Sequence, residues 1–173
     1  MSTPPASSGI DADDTAAITR QLGREPRGAV RVAHRCPCGE PDVVVTAPRL
    51  PDGTPFPTLY YLTCPRAAGA IGTLESSGLM RDMETRLATD PELAERYRIA
   101  HESYLSERDR LDRVPEIDGV TAGGMPSRVK CLHVLVAHAL AAGPGLNPLG
   151  DEALAALGPW WEPTCCADDD VVP

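Results

Sequence analysis

The residues best suited to bind metal or to act as nucleophiles are six cysteines and four histidines. Four of the cysteines fall where a fold could gather them. Cys36 and Cys38 sit in R-C-P-C-G-E-P, Cys64 ends T-L-Y-Y-L-T-C, and Cys131 lies in S-R-V-K-C-L-H. Four thiolates would suit a tetrahedral Zn²⁺ ion or an iron–sulfur cluster. The spacing here is Cys-x-Cys and occurs once, a weaker pattern than two Cys-x-x-Cys knuckles. His34 or His133 could replace one member of the set. The competing reading is that these are reduced thiols packed beside a core, because free cysteine behaves as a small apolar side chain.

A second group of candidates lies just upstream of Cys131, in A-G-G-M-P-S-R-V-K. Glycines that open a helix expose backbone N–H groups, and the helix dipole favours an anion there. Gly123, Gly124, Ser127, Arg128 and Lys130 are thus candidates for holding a phosphate or carboxylate of a small molecule. The P-loop pattern G-x-x-x-x-G-K-[ST] is absent. The competing reading is a helix start that needs only a tight turn.

Nucleophilic catalysis is less well supported. Pro126 at a first helical turn, followed by Val129, Leu132, Val136 and Leu140 at helical spacing, predicts a helix ended by G-P-G at 143–145. On that helix the Cys131 and His133 side chains diverge by about 200° and make a poor dyad. His138 shares the Cys131 side but lies about 10 Å further along the axis. No catalytic residue is assigned, and the sequence does not decide whether the protein is an enzyme.

The elements that must position these groups follow from periodicity and caps. Asp14 is expected to cap a short helix, Thr15–Leu22, stopped by Gly23. Three strands are expected at Ala29–Cys36, Asp42–Ala47 and Thr58–Cys64, joined as an antiparallel meander. Strands one and three then end on the same side of the sheet. Two strand spacings, about 9.5 Å, separate Cys36 from Cys64 unless the C-P-C-G turn folds over, which Gly39 would permit through a positive φ. Helices are expected at Ala67–Ser76, Leu79–Ala88 and Asp90–Arg113, the last opened by an Asp-Pro cap. Its charged residues, Glu92 to Arg110 and Arg108 among them, read as a solvated face. A last short helix is expected near Asp151, packed down by Trp160 and Trp161. Cys165 and Cys166 read as incidental residues of an acidic tail.

Composition bounds the rest. The 173 residues are 42% hydrophobic, enough for one domain with a core. The net charge is −9, and removing Asp11, Asp13, Asp14 and Asp168–Asp170 leaves −3 for the body. A general nucleic-acid surface is therefore not expected. No apolar run approaches a membrane span, and M-S-T-P-P-A-S-S-G lacks the features of a secretory signal, so a cytoplasmic protein is expected. The domain reading is a disordered tail at 1–14, one α+β domain at 15–161, and a disordered acidic tail at 162–173. That domain is a small antiparallel three-stranded sheet packed by four to six helices.

The segments Q-L-G-R-E-P-R-G, R-C-P-C-G-E-P, T-A-P-R-L-P-D-G-T-P-F-P-T-L-Y-Y-L-T-C-P, A-G-G-M-P-S-R-V-K-C-L-H-V-L-V-A-H and G-P-G-L-N-P-L-G-D-E-A-L resemble the domain-of-unknown-function 501 family. These are small, mainly actinobacterial proteins. The resemblance runs from about Ala16 to Trp161. It implies a bacterial cytoplasmic protein of one domain and supplies no catalytic residues. Three functions are carried from the residues themselves: a zinc or iron–sulfur protein, a protein that binds a phosphorylated small molecule, or an interaction protein without chemistry.

Overall fold

The computed structural model describes residues 9–169. Six helices surround a three-stranded antiparallel sheet: α1 (Ala12–Leu22), β1 (Ala29–Arg35), β2 (Pro41–Thr46), β3 (Tyr60–Leu62), α2 (Pro65–Glu75), α3 (Leu79–Thr89), α4 (Pro91–Leu111), α5 (Leu132–Ala142) and α6 (Pro148–Leu157). The α+β expectation and the meander order β1-β2-β3 hold. No helix among the described residues is long and apolar enough to cross a membrane.

Local chemistry sets most boundaries. Asp90 accepts from the N–H groups of Glu92 and Leu93 and opens α4. Gly23, at φ 71°, closes α1. That helix begins three residues before the expected start, because Asp11, not Asp14, is its cap: Asp11 accepts from Asp14 N–H at 2.8 Å. Residues 11–14 thus belong to the folded body, while 1–8 and 170–173 of the expected tails lie outside the described residues.

The central strand β2 is buried at every position. Val43 and Val45 enter the main core with Leu59 and Tyr60, while Val44, on the opposite face, lines a cleft with Leu22 of α1. Helix α5 contacts all three strands and packs on α6. Their crossing is close. A Cβ on Gly150 would meet Leu135 O at 2.3 Å, so only glycine fits there.

Helix α5 does not start at Pro126. Residues 123–130 close into a loop through Arg128 N–H···O Gly124 (2.9 Å) and Lys130 N–H···O Gly123 (2.7 Å), with both glycines at positive φ. A Cβ on Gly124 would stand 2.9 Å from Arg128 O. Cys131 is extended and serves as the N-cap, and the helix begins at Leu132.

Two buried polar groups organise the core. Arg108, expected on a solvated face, is 1% exposed. Its guanidinium donates to Pro57 O (3.0 Å), Val120 O (2.6 Å) and Ile117 O (2.7 Å), tying α4 to the loops on either side. Methionine at 108 would leave those carbonyls without a donor. We expect Arg108→Met to lose about 3–5 kcal/mol in urea unfolding, with Arg108→Lys rescuing only part of it because an ammonium lacks the planar fork.

His138 of α5 stacks on Tyr60 at 5.7 Å and meets the edge of Tyr104 at 5.2 Å. Asn147 Oδ1 accepts from Gly150 N–H, so its Nδ2 donates to His138 Nδ1 at 3.2 Å. The ring is therefore neutral, with its proton on Nε2. Burial pushes its pKa down to about 4. The unfolded chain takes up that proton near pH 6.5, so stability present above pH 6.5 is lost as the pH falls toward 4. The expected loss is about 3 kcal/mol, measured by urea unfolding across that range, and His138→Gln should flatten the profile.

Candidate metal centre

Strand β1 hands the chain to a tight turn at residues 36–40. Cys36 N–H bonds to Glu40 O at 3.0 Å and Gly39 N–H to Cys36 O at 2.8 Å, with Gly39 at φ 93° as its position in the turn requires. The bend turns the Cys36 and Cys38 sulfurs toward each other, 2.9 Å apart. A third sulfur comes from the far end of the chain. Cys166 Sγ lies 3.4 Å from Cys36 Sγ and 3.3 Å from Cys38 Sγ. All three cysteines are free thiols.

The C-terminal segment reaches this place because it is pinned. Trp160, 8% exposed, packs with Cys64 and Ala67 in a small second core and meets the edge of Trp161 at 4.8 Å. Arg66 of α2 then donates to Thr164 O (2.5 Å) and Thr164 Oγ1 (2.9 Å). Two residues later Cys166 opens a 3-10 turn, Cys166–Asp169. Cys165 and Cys166, read from sequence as incidental, thus stand at the site.

The trio is electrostatically uneven. Burial raises the Cys36 thiol, and burial with hydrogen bonds to Cys38 and Cys36 pushes Cys166 well above the ordinary thiol range. Cys38 behaves oppositely. Burial works against its thiolate, but hydrogen bonds from Cys165, Cys36 and Cys166 outweigh that and bring it down to about 6. One thiolate held among thiols is a soft donor set suited to a thiophilic cation, and these three sulfurs are close enough to hold one. Cys64, fully buried, flanks Cys166 on the side of the second core.

Cys131 does not join them. The expected set Cys36, Cys38, Cys64 and Cys131 divides, because the late start of α5 leaves Cys131 at a different edge of the sheet, beside the end of α2. There Cys131 Sγ lies 3.9 Å from His133 Nδ1, and Glu75 Oε1 lies 3.1 Å from the same nitrogen. The predicted divergence of Cys131 and His133 assumed a helical Cys131. As an extended N-cap it turns its sulfur toward the ring. Glu75 had no signal in the sequence beyond ending a helix.

The anion-binding reading of Gly123, Gly124, Ser127, Arg128 and Lys130 meets a different geometry. The helix N-terminus is six residues downstream of Pro126, and Glu75 Oε1 already accepts from Leu132 N–H at 2.8 Å. Glu84 Oε1 accepts from Val129 N–H at 3.2 Å and faces Arg128 Nε at 3.4 Å. The N–H groups of Arg128 and Lys130 bond within the loop. Ser127, Arg128 and Lys130 are exposed. The N–H groups of Arg128, Val129, Lys130 and Leu132 are thus occupied by the protein's own carboxylates and carbonyls.

No curated protein and no solved structure matches the chain. A family does, over residues 32–155. The matched span holds Cys36, Cys38, Cys64, Glu75, Cys131 and His133, and ends before Cys165 and Cys166. Since that span covers most of the chain, this protein belongs to the family described as Protein of unknown function (DUF501).

Proposed function

We propose that this protein is a metal-binding protein whose principal site is a zinc ion held by Cys36, Cys38 and Cys166, with Cys165 as fourth ligand. The observation that supports it is the meeting of three reduced sulfurs within 3.4 Å across 130 residues of sequence. Zn²⁺ with bonds of about 2.3 Å sets its sulfur ligands about 3.8 Å apart, so the trio needs only a small expansion. An iron–sulfur cluster fits less well, because its four thiolates are divided among two or four irons and three of them do not meet on one metal. Cys165 is favoured as fourth donor by its hydrogen bond to Cys38.

A site closed by four thiolates leaves no position for substrate and acts by holding structure together. Here the ion would clamp the C-terminal segment to the β1–β2 turn and hold Trp160 over Cys64 and Ala67. Metal binding would release the protons of the neighbouring thiols, so affinity should rise with pH.

Anaerobic, chelator-free purification followed by elemental analysis and a visible spectrum tests this reading. We expect colourless protein whose zinc content falls by one ion per chain in Cys166→Ser. Brown protein with iron and sulfide would replace the zinc by a cluster, and protein whose zinc content is unmoved by Cys166→Ser would overturn the site. In the metal-free, reduced protein, alkylation of Cys38 should rise as the pH passes through about 6, while Cys131, whose thiol is raised chiefly by burial, should react only above the ordinary thiol range. Mass mapping of labelled peptides checks this, and zinc should block labelling at Cys38.

A further inference from the structure

Glu75, Cys131 and His133 bring three different donor atoms together, all within 4.8 Å of one another. They come from the last residue of α2, the N-cap of α5 and its second residue. His133 Nε2 lies 3.1 Å from Ala68 O, so that nitrogen carries a proton and donates it. Nδ1 then faces the Glu75 carboxylate at 3.1 Å and the Cys131 sulfur at 3.9 Å. A lone pair does not face a carboxylate without a cation between them. A proton on Nδ1 would pair His133 with Glu75, and the Cys131 thiol is hydrogen-bonded to the same carboxylate. A metal ion would replace these protons and engage all three donors at once. A metal-bound histidine commonly donates its other ring N–H to a backbone carbonyl, as His133 does to Ala68.

The surroundings distinguish this site from the three-cysteine one. Cys131 and His133 line a cavity of about 400 Å³, together with Tyr60, Tyr61, Thr63 and Gln21. Gln21 Nε2 donates to Pro41 O at 2.6 Å, but its Oε1 is buried without a hydrogen-bond partner. That acceptor is closed off from the cavity, whose wall is largely apolar.

We propose that Glu75, Cys131 and His133 form a second metal site, which keeps an open coordination position toward this cavity. Thiolate, imidazole and carboxylate together suit Zn²⁺, and three protein ligands with one exchangeable position is the arrangement of zinc sites that act on ligands. Cys131 binds as thiolate, its proton passing to solvent as the metal–sulfur bond forms. The cavity would admit a small, mostly apolar molecule carrying one metal-binding atom. All three metal donors lie inside residues 32–155, the span shared with the family.

Cobalt titration of the metal-free protein tests this, with azide as the probe of the open position. We expect wild type to bind two Co²⁺ ions, and Cys131→Ala and His133→Ala to bind one. Glu75→Gln keeps an acceptor for Leu132 N–H while removing the charge. It should stay folded by circular dichroism and also lose the second ion. Azide should shift the d–d bands of the second cobalt. If wild type binds a single ion that Cys131→Ala removes, the second site stands and the three-cysteine site fails. If the number bound is the same in wild type, Cys131→Ala and Glu75→Gln, this proposal is overturned, whatever happens at Cys166. Cobalt bands unmoved by azide would overturn the open position.

Discussion

The carboxylate of Glu75 fixes where α5 begins, and much of the molecule depends on that point. Its Oε1 accepts from Leu132 N–H, the first backbone donor of a helix with no side-chain cap of its own. The contact joins the end of α2 to the start of the most buried helix among the described residues. A helix begun at Pro126 would have placed Cys131 one turn inside, facing away from His133. Begun at Leu132, it leaves Cys131 extended and close to the ring. The same shift frees residues 123–130 to close on themselves beneath Glu84. A buried helix end needs partners for its N–H groups, and Glu75 supplies one from a neighbouring element.

The two proposed sites differ in what their surroundings let them do. The sulfurs of Cys36, Cys38 and Cys166 lie between a tight turn and a pinned terminal segment, Cys36 buried and the other two half-buried. Of the other trio, Cys131 and His133 border a cavity. An all-sulfur site suits holding, and a mixed donor set beside a cavity suits exchange. The first site also rests on a segment outside the family match, whereas the three donors of the second all lie within it. The core makes such precision feasible: Arg108 fixes three loop carbonyls and Gly150 sets α6 tightly onto α5.

What could be read from the chain is what local chemistry determines. Strand alternation, the Asp90–Pro91 cap, Gly23 and the Gly39 turn marked the sheet and most helix ends within a few residues. The Cys36–Cys38 pair was visible because its spacing is local. Cys166 was not, because nothing in T-C-C-A-D-D-D announces that Trp160 and Arg66 pin it across the fold. Glu75 and Arg108 were hidden for the same reason. A carboxylate that caps a distant helix and a guanidinium buried under three carbonyls look, in sequence, like ordinary surface charges. The start of α5 was missed where Pro126 and helical spacing argued locally and Glu84, Glu75 and the two glycines decided otherwise.

Zinc at Cys36, Cys38 and Cys166 would join the β1–β2 turn to the C-terminal segment through one ion. A zinc K-edge absorption spectrum of the zinc-loaded Cys131→Ala protein tests it most directly, since that variant leaves only the three-cysteine site intact. Neighbours that are mostly sulfur, at about 2.3 Å, are expected. A first shell of nitrogen and oxygen alone, at about 2.0–2.2 Å, would contradict it.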